Sequence, residues 1–252
     1  MECSVMSAHP DIRICEDVAA LAQQTTDIFV RLAQESVAAR GRFTVALAGG
    51  STPKAAYTML ASAAYRDRVP WQQTHFFWGD ERHVPPDHED SNYRMAYEAM
   101  LSKVTVPATH IYRIAAEKDA QQAADEYEAT LRTAFQLAGD AFPHFDLVLL
   151  GMGPDGHTAS LFPGTTAVHE SKRLVAAPWV EKFHTFRITL TPPVLCNAAY
   201  VVFAAGGADK TETLQQVLQG PYQPDLYPSQ VVKPAQGTLL WLVDKAAARL
   251  LS

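Results

Sequence analysis

The chain has 252 residues, a formal net charge of −6, and 48% hydrophobic against 19% charged residues. That balance suits an ordinary globular protein with ample chain for a core, and the acidic excess speaks against a general nucleic-acid or anionic-membrane binder. Three widely spaced cysteines, Cys3, Cys15 and Cys196, form neither a disulfide framework nor a zinc or redox motif. The N-terminal stretch lacks the basic and apolar regions of an export signal, and no apolar run approaches the roughly 18 residues a membrane span needs, so a cytoplasmic location is expected. An anionic small substrate stays compatible with this charge, because a local basic pocket can exist on an acidic protein.

After a short polar lead, Glu16 to Arg40 sets Val18, Leu21, Ala22, Ile28, Phe29, Leu32, Ala33 and Val37 at helical spacing, with Gly41 as the stop. Phe43 to Ala48 is a predicted strand, followed at once by Gly49-Gly50-Ser51-Thr52-Pro53. Ser51 or Thr52 is expected to cap the next helix, with Pro53 in its first position. A strand, a glycine turn and a helix N-terminus form an anion site, because backbone N–H groups converge there and the helix dipole favours negative charge. The same residues also suit a plain β-to-α turn. The strand HFFW, within Trp71 to Trp78, runs into Gly79-Asp80-Glu81-Arg82-His83, read as a densely charged loop. Ser91 is placed to cap a helix through Met95, Tyr97, Met100 and Leu101. Asp119 does the same for an amphipathic helix to Leu137, closed by Gly139.

Phe145 to Leu150 is a short apolar run suited to a strand buried on both faces. It turns through Gly151, Gly153, Pro154 and Gly156 to present Asp155 and His157. Leu174 to Trp179, Phe186 to Leu190, Ala199 to Ala205 and Leu239 to Val243 complete the predicted strands. Thr191-Pro192-Pro193 opens a short helix, Gly206 to Lys210 leads into another, and Lys245 to Leu250 forms the last. Pro221 to Pro234 reads as a surface connection. The alternation predicts an α/β fold of three layers: a mostly parallel open sheet with helices on both faces. With no internal repeat, low-complexity block or linker, residues 1–252 are expected to form one domain.

Open α/β sheets hold their ligands at the C-terminal ends of their strands, which makes Asp155 and His157 the first candidate pair. Histidine is a usable general base at neutral pH, and Asp155 would orient it or share its proton. Gly151-Met152-Gly153-Pro154-Asp155-Gly156 matches a dinucleotide fingerprint letter by letter. Phe162-Pro163-Gly164 breaks the helix that fingerprint requires, and Pro154 removes one N–H donor, so no nicotinamide or flavin is expected. His83, His88 and His157 show no recognised ligand spacing, and no metal is expected. Arg187 and Lys210, with the Gly49–Thr52 turn, would make a phosphate pocket, although each cation alone is what any surface carries.

Taken in order, Leu47-Ala48-Gly49-Gly50-Ser51-Thr52-Pro53, Trp78-Gly79-Asp80-Glu81-Arg82 with Ser91-Asn92-Tyr93, GMGPDGHTASLFPG, RITLT and GGADKT resemble the 6-phosphogluconolactonase family. The match runs from about Leu47 to Lys210, with WLVD ending at Asp244. The wider superfamily includes glucosamine-6-phosphate deaminase. Arg82 after Asp80-Glu81, and SLFPG after the histidine, resemble the lactonase branch; the deaminases typically have tyrosine and an asparagine-glutamate pair at those places. The long Pro221–Pro234 segment is the one irregularity, and it bears on a lid near the site.

The resemblance implies hydrolysis of 6-phospho-D-glucono-1,5-lactone to 6-phosphogluconate in the oxidative pentose phosphate pathway, with no cofactor. It implies a phosphate pocket from Ser51, Thr52, Arg187 and Lys210 on the Gly49-Gly50 turn, and His157 as the base that activates water. Asp80, Glu81 and Arg82 would line the lactone, Arg82 steadying negative charge and Asp80 or Asp155 assisting the base. The implied partner is a phosphorylated sugar lactone, with no nucleic acid or membrane, and the chain would act as a monomer or weak homo-oligomer. A deaminase or isomerase would instead use Asp80 and His157 to move protons between C1 and C2. A non-catalytic sugar-phosphate sensor would have no need of His157 or Asp155.

Overall fold

The computed structural model describes residues 11–252, so Cys3 and the N-terminal stretch lie outside the described residues. In chain order the elements are β1 (Asp11–Cys15), α1 (Val18–Arg40), β2 (Phe43–Leu47), α2 (Ser51–Leu60), β3 (Thr74–Trp78), β4 (Asp80–Arg82), α3 (Asn92–Ala99), α4 (Ala120–Ala134) and β5 (Leu147–Leu150). They continue with β6 (Val175–Ala176), β7 (Trp179–Val180), β8 (Thr185–Leu190), α5 (Pro192–Cys196), β9 (Tyr200–Ala205), α6 (Thr211–Gln219) and β10 (Thr238–Asp244). Six strands form one parallel sheet in the order β1-β10-β9-β5-β2-β3. The expected α/β architecture, a parallel sheet layered with helices, is present.

Every residue of β2 and β5 is buried, as the unbroken apolar runs require of strands covered on both faces. α1 packs on β2, β9 and β10 through residues such as Leu21, Phe29 and Ala33, and contacts α2 beside it. Its N-cap is Asp17, whose carboxylate accepts from Ala20 N at 2.8 Å, and Gly41 closes it. From β2 the chain moves outward to β3, whereas from β5 it moves the other way through β9 to β10. The crevice between β2 and β5 is therefore the sheet's topological switch point, and ligands of such sheets bind beyond the strand ends there.

A second, smaller antiparallel sheet was not legible in the sequence. It joins β4, β8 and β6, with β7 also on β8. The densely charged loop after β3 is thus a strand, with Asp80, Glu81 and Arg82 facing Thr189, Ile188 and Arg187. β6 and β7 keep one register against β8, and the break between them falls at Pro178, which lacks the N–H a ladder needs. β7 and β8 are joined as a hairpin whose tip is Glu181 to His184.

Other local expectations shift for identifiable reasons. β1 carries charged Asp11 and Arg13 because it is an edge strand, paired among the described residues to β10 alone. The N-cap of α2 is Gly50, at φ 99°, a conformation that favours glycine; Ser51 already lies in the helix and no side chain caps it. α4 stops at Ala134, before Gly139, whose carbonyl instead accepts from Arg132 Nη1 at 2.9 Å. The closing helix is one 3₁₀ turn, Ala247–Leu250.

Candidate functional site

A cleft of about 220 Å³ opens at the switch point. The turn after β2 (Gly49 to Pro53), Asp80 and Arg82 of β4, the loop after β5 (Gly151 to Gly153, with His157) and Lys210 before α6 all line it. Strands from two sheets and the start of two helices thus deliver their end residues to one hollow.

The loop after β5 is folded by its glycines. Gly153 N donates to the His157 carbonyl at 2.9 Å, and a Cβ on Gly153 would lie 2.1 Å from the imidazole Cε1. A side chain there would displace the ring. The His157 Nδ1 hydrogen-bonds Asp155 Oδ1, and Phe162 stacks under the imidazole at 4.1 Å between centroids. Asp155 Oδ2 accepts from Lys182 Nζ at 2.9 Å. Burial alone would raise the Asp155 pKa; hydrogen bonding and charge from His157, with the Lys182 ammonium, override it and hold the carboxyl well below the usual range. An ionised carboxylate only accepts, so Nδ1 carries a proton, and in the neutral tautomer that this bond selects Nε2 is the atom with the lone pair. Nε2 has no hydrogen-bond partner among the described residues.

Asp80 is buried, with Oδ2 accepting from Ser160 Oγ at 2.6 Å and Oδ1 from Asn92 Nδ2 at 3.3 Å. Asn92, also buried, lines the cleft, and neither it nor Ser160 was singled out from the sequence as a site residue. The cap reading at Ser91 was sound, since Ser91 Oγ accepts from Arg94 N at 3.1 Å, but it stopped one residue short of Asn92.

Glu81 does not reach the cleft. Its carboxylate accepts from the backbone N–H groups of Arg82, Asn92 and Tyr93 at 2.8, 2.7 and 2.8 Å and from Ser91 Oγ at 3.1 Å. Alternation along β4 turns its side chain away from those of Asp80 and Arg82 and onto the N-terminus of α3. The expected place beside the lactone is therefore corrected: Glu81 anchors a helix. Burial pushes its pKa up, against those N–H donors.

The cations divide. Arg82 lines the cleft and donates Nη1 to the Asp90 carbonyl at 2.6 Å. Lys210 lines it too, with Nζ 2.9 Å from the Gly206 carbonyl. Arg187 is not a lining residue; it faces Arg82 across the β4–β8 ladder, its guanidinium 5.1 Å from the Phe183 ring centroid. Burial, then the charge of Arg82, lowers its pKa. His83 and His88 lie apart from His157: one bonds the Lys118 carbonyl at 2.7 Å, the other accepts from Asp90 N at 3.1 Å.

The model of the glucosamine-6-phosphate isomerases/6-phosphogluconolactonase family matches residues 16–241. A 6-phosphogluconolactonase of Nostoc sp. is 42% identical over 96% of this chain and 98% of its own. One from Synechocystis sp. is 44% identical over 84% of this chain and 86% of its own. The solved structure of 6-phosphogluconolactonase from Trypanosoma cruzi superposes with a TM-score of 0.85 at 30% identity, covering 99% of each chain. The motifs, the sheet order and these relatives agree: the chain belongs to the glucosamine-6-phosphate isomerase/6-phosphogluconolactonase family and, within it, to the 6-phosphogluconolactonases.

Proposed function

We propose that the protein hydrolyses 6-phospho-D-glucono-1,5-lactone to 6-phosphogluconate, the lactone step of the oxidative pentose phosphate pathway, with His157 as general base. The observation that carries this reading is the Asp155–His157 pair, its Nε2 without a partner among the described residues, in a cleft with Lys210, Arg82 and the N-terminus of α2. A δ-lactone is an activated ester and requires no covalent nucleophile. Nε2 takes a proton from water as its oxygen bonds C1, and the carbonyl oxygen becomes an oxyanion. Arg82 and loop N–H groups are the donors suited to it. As the C1–ring-oxygen bond breaks, the imidazolium returns its proton to the leaving oxygen. Ser51, Thr52 and Lys210, aided by Arg187, hold the phosphate, and binding remote from C1 orients the lactone. Asp80, fixed by Ser160 and Asn92, accepts from a sugar hydroxyl or the attacking water.

The same reading takes the chain as one domain acting in the cytoplasm, as a monomer or weak oligomer; free thiols at Cys15 and Cys196 suit a reducing compartment. The test is loss of lactone, generated in place from glucose 6-phosphate, measured above spontaneous opening. Wild type should exceed the background, and His157→Ala should lower kcat by about 10²–10⁴-fold with a much smaller change in KM. Equal loss with both proteins would sink the reading.

A further inference from the structure

The tip of the β7–β8 hairpin reaches the Asp155–His157 pair by two routes. Lys182 donates to the carboxylate oxygen that His157 leaves free, at 2.9 Å. The neighbouring Phe183 packs edge-on against Phe162 at 5.6 Å, and Phe162 is the ring stacked beneath the imidazole. At the tip Phe183 is 45% exposed, and His184 turns at φ 47° in the left-handed region. Nothing in this stretch resembles a motif, and Lys182 drew no notice in the sequence.

We propose that Lys182 is a positioning residue for the base, holding the Asp155 carboxylate and setting how strongly it favours the imidazolium. The proposal rests on the reading of His157 as the base. With one oxygen on His157 and the other on an ammonium, the negative charge of Asp155 is shared. An unshared carboxylate would stabilise the imidazolium more than one whose charge is divided with an ammonium. The other charges around the pair stay constant when Lys182 is replaced. They are Asp80 and Arg82 from β4, Arg187 from β8 and Lys210 before α6, together with Glu181 at the tip. Glu181 accepts from Trp179 Nε1 at 2.8 Å and lies 3.5 Å from His184, so it has partners of its own.

The deciding measurement is the imidazole titration of His157 by NMR in wild type, Lys182→Met and Lys182→Arg, its signal identified by absence in His157→Gln. Lys182→Met should raise the midpoint by about 0.5–1 pH unit, while Lys182→Arg, which keeps the charge, should stay near wild type. The acid limb of kcat/KM should move upward by the same amount, with KM within about twofold of wild type. An unmoved midpoint in Lys182→Met, or equal shifts in both variants, overturns the proposal. If the midpoint moves but no variant, wild type included, opens lactone above background, the lactonase reading fails, and with it the positioning role; only the coupling of Lys182 to the Asp155–His157 pair is left.

Discussion

Lys210 commits only part of its ammonium to the protein. Nζ donates to the Gly206 carbonyl at 2.9 Å and lies 3.2 Å from Asp209 Oδ2, with 19% of the side chain exposed toward the cleft. Its turn is held from behind by buried Asp244, whose carboxylate accepts from Gly207 N at 3.0 Å and Ala247 N at 2.7 Å. Arg82 and Arg187 face each other across a ladder with no ion pair to a carboxylate among the described residues. Two adjacent guanidiniums repel, and negative charge that develops beside Arg82 relieves that repulsion. Lys210→Ala should therefore raise KM by about 10–100-fold, the worth of one charge-assisted hydrogen bond, and leave kcat within a few-fold. Steady-state kinetics decides it: a normal KM in that variant would remove Lys210 from the phosphate site.

Among the elements, the proline-rich stretch has the largest difference between appearance and role. As sequence, Pro221 to Pro234 is a surface connection. In the fold it straps the histidine loop: Ser229 donates both N (2.9 Å) and Oγ (2.8 Å) to the Gly156 carbonyl, and Asp225 O accepts from Gly164 N at 3.2 Å. Gln230, buried, ties the strap to α6 by donating to the carbonyls of Gln216 and Pro221 at 3.1 and 3.0 Å. From α6, Thr213 Oγ1 donates to the Pro154 carbonyl at 2.7 Å. Ser229→Ala keeps the backbone bond and loses the hydroxyl, a change of about 1 kcal/mol, or roughly 2–4 °C in Tm for a chain of this size. Loosening Gly156 should also lower kcat several-fold at unchanged KM. A lowered Tm with normal kcat would mean that the strap supports the fold without placing the base. What was legible and what was not follows from range. The buried strands, the Ser91 and Asp119 caps and the glycine loop are local chemistry, written within a few residues. The strand at Asp80–Arg82, the Lys182 contact and the strap depend on partners far along the chain, and a charged run or a proline-rich stretch looks the same with or without them.

Across the whole molecule, chemistry and acid stability sit at opposite ends of the sheet. The cleft lies beyond the C-terminal ends of β2 and β5, whereas His75 stands at the start of β3. There His75 stacks on His110 at 3.9 Å between centroids, and its Nδ1 is 3.2 Å from the Tyr112 hydroxyl. His110 Nδ1 is itself buried with no hydrogen-bond partner among the described residues. Burial, then the charges of His110 and Arg42, pushes the His75 pKa down to about 4. The folded state thus prefers the neutral ring. Its contribution is complete above the unfolded value near 6.5 and is lost progressively as pH falls from there towards 4. Allowing for partial exposure, the loss is on the order of 1–3 kcal/mol. Urea unfolding at pH 7 and pH 4.5 should therefore show wild type losing stability, and His75→Phe, which stacks without titrating, losing less by that amount. Lactone hydrolysis at pH 7 should be unaltered by the substitution, because His75 is not among the residues that line the cleft. Equal losses in the two proteins would assign the acid sensitivity to carboxylates instead, with buried Asp146, which accepts from Thr44 N at 2.7 Å and pairs with Arg40, the next to test.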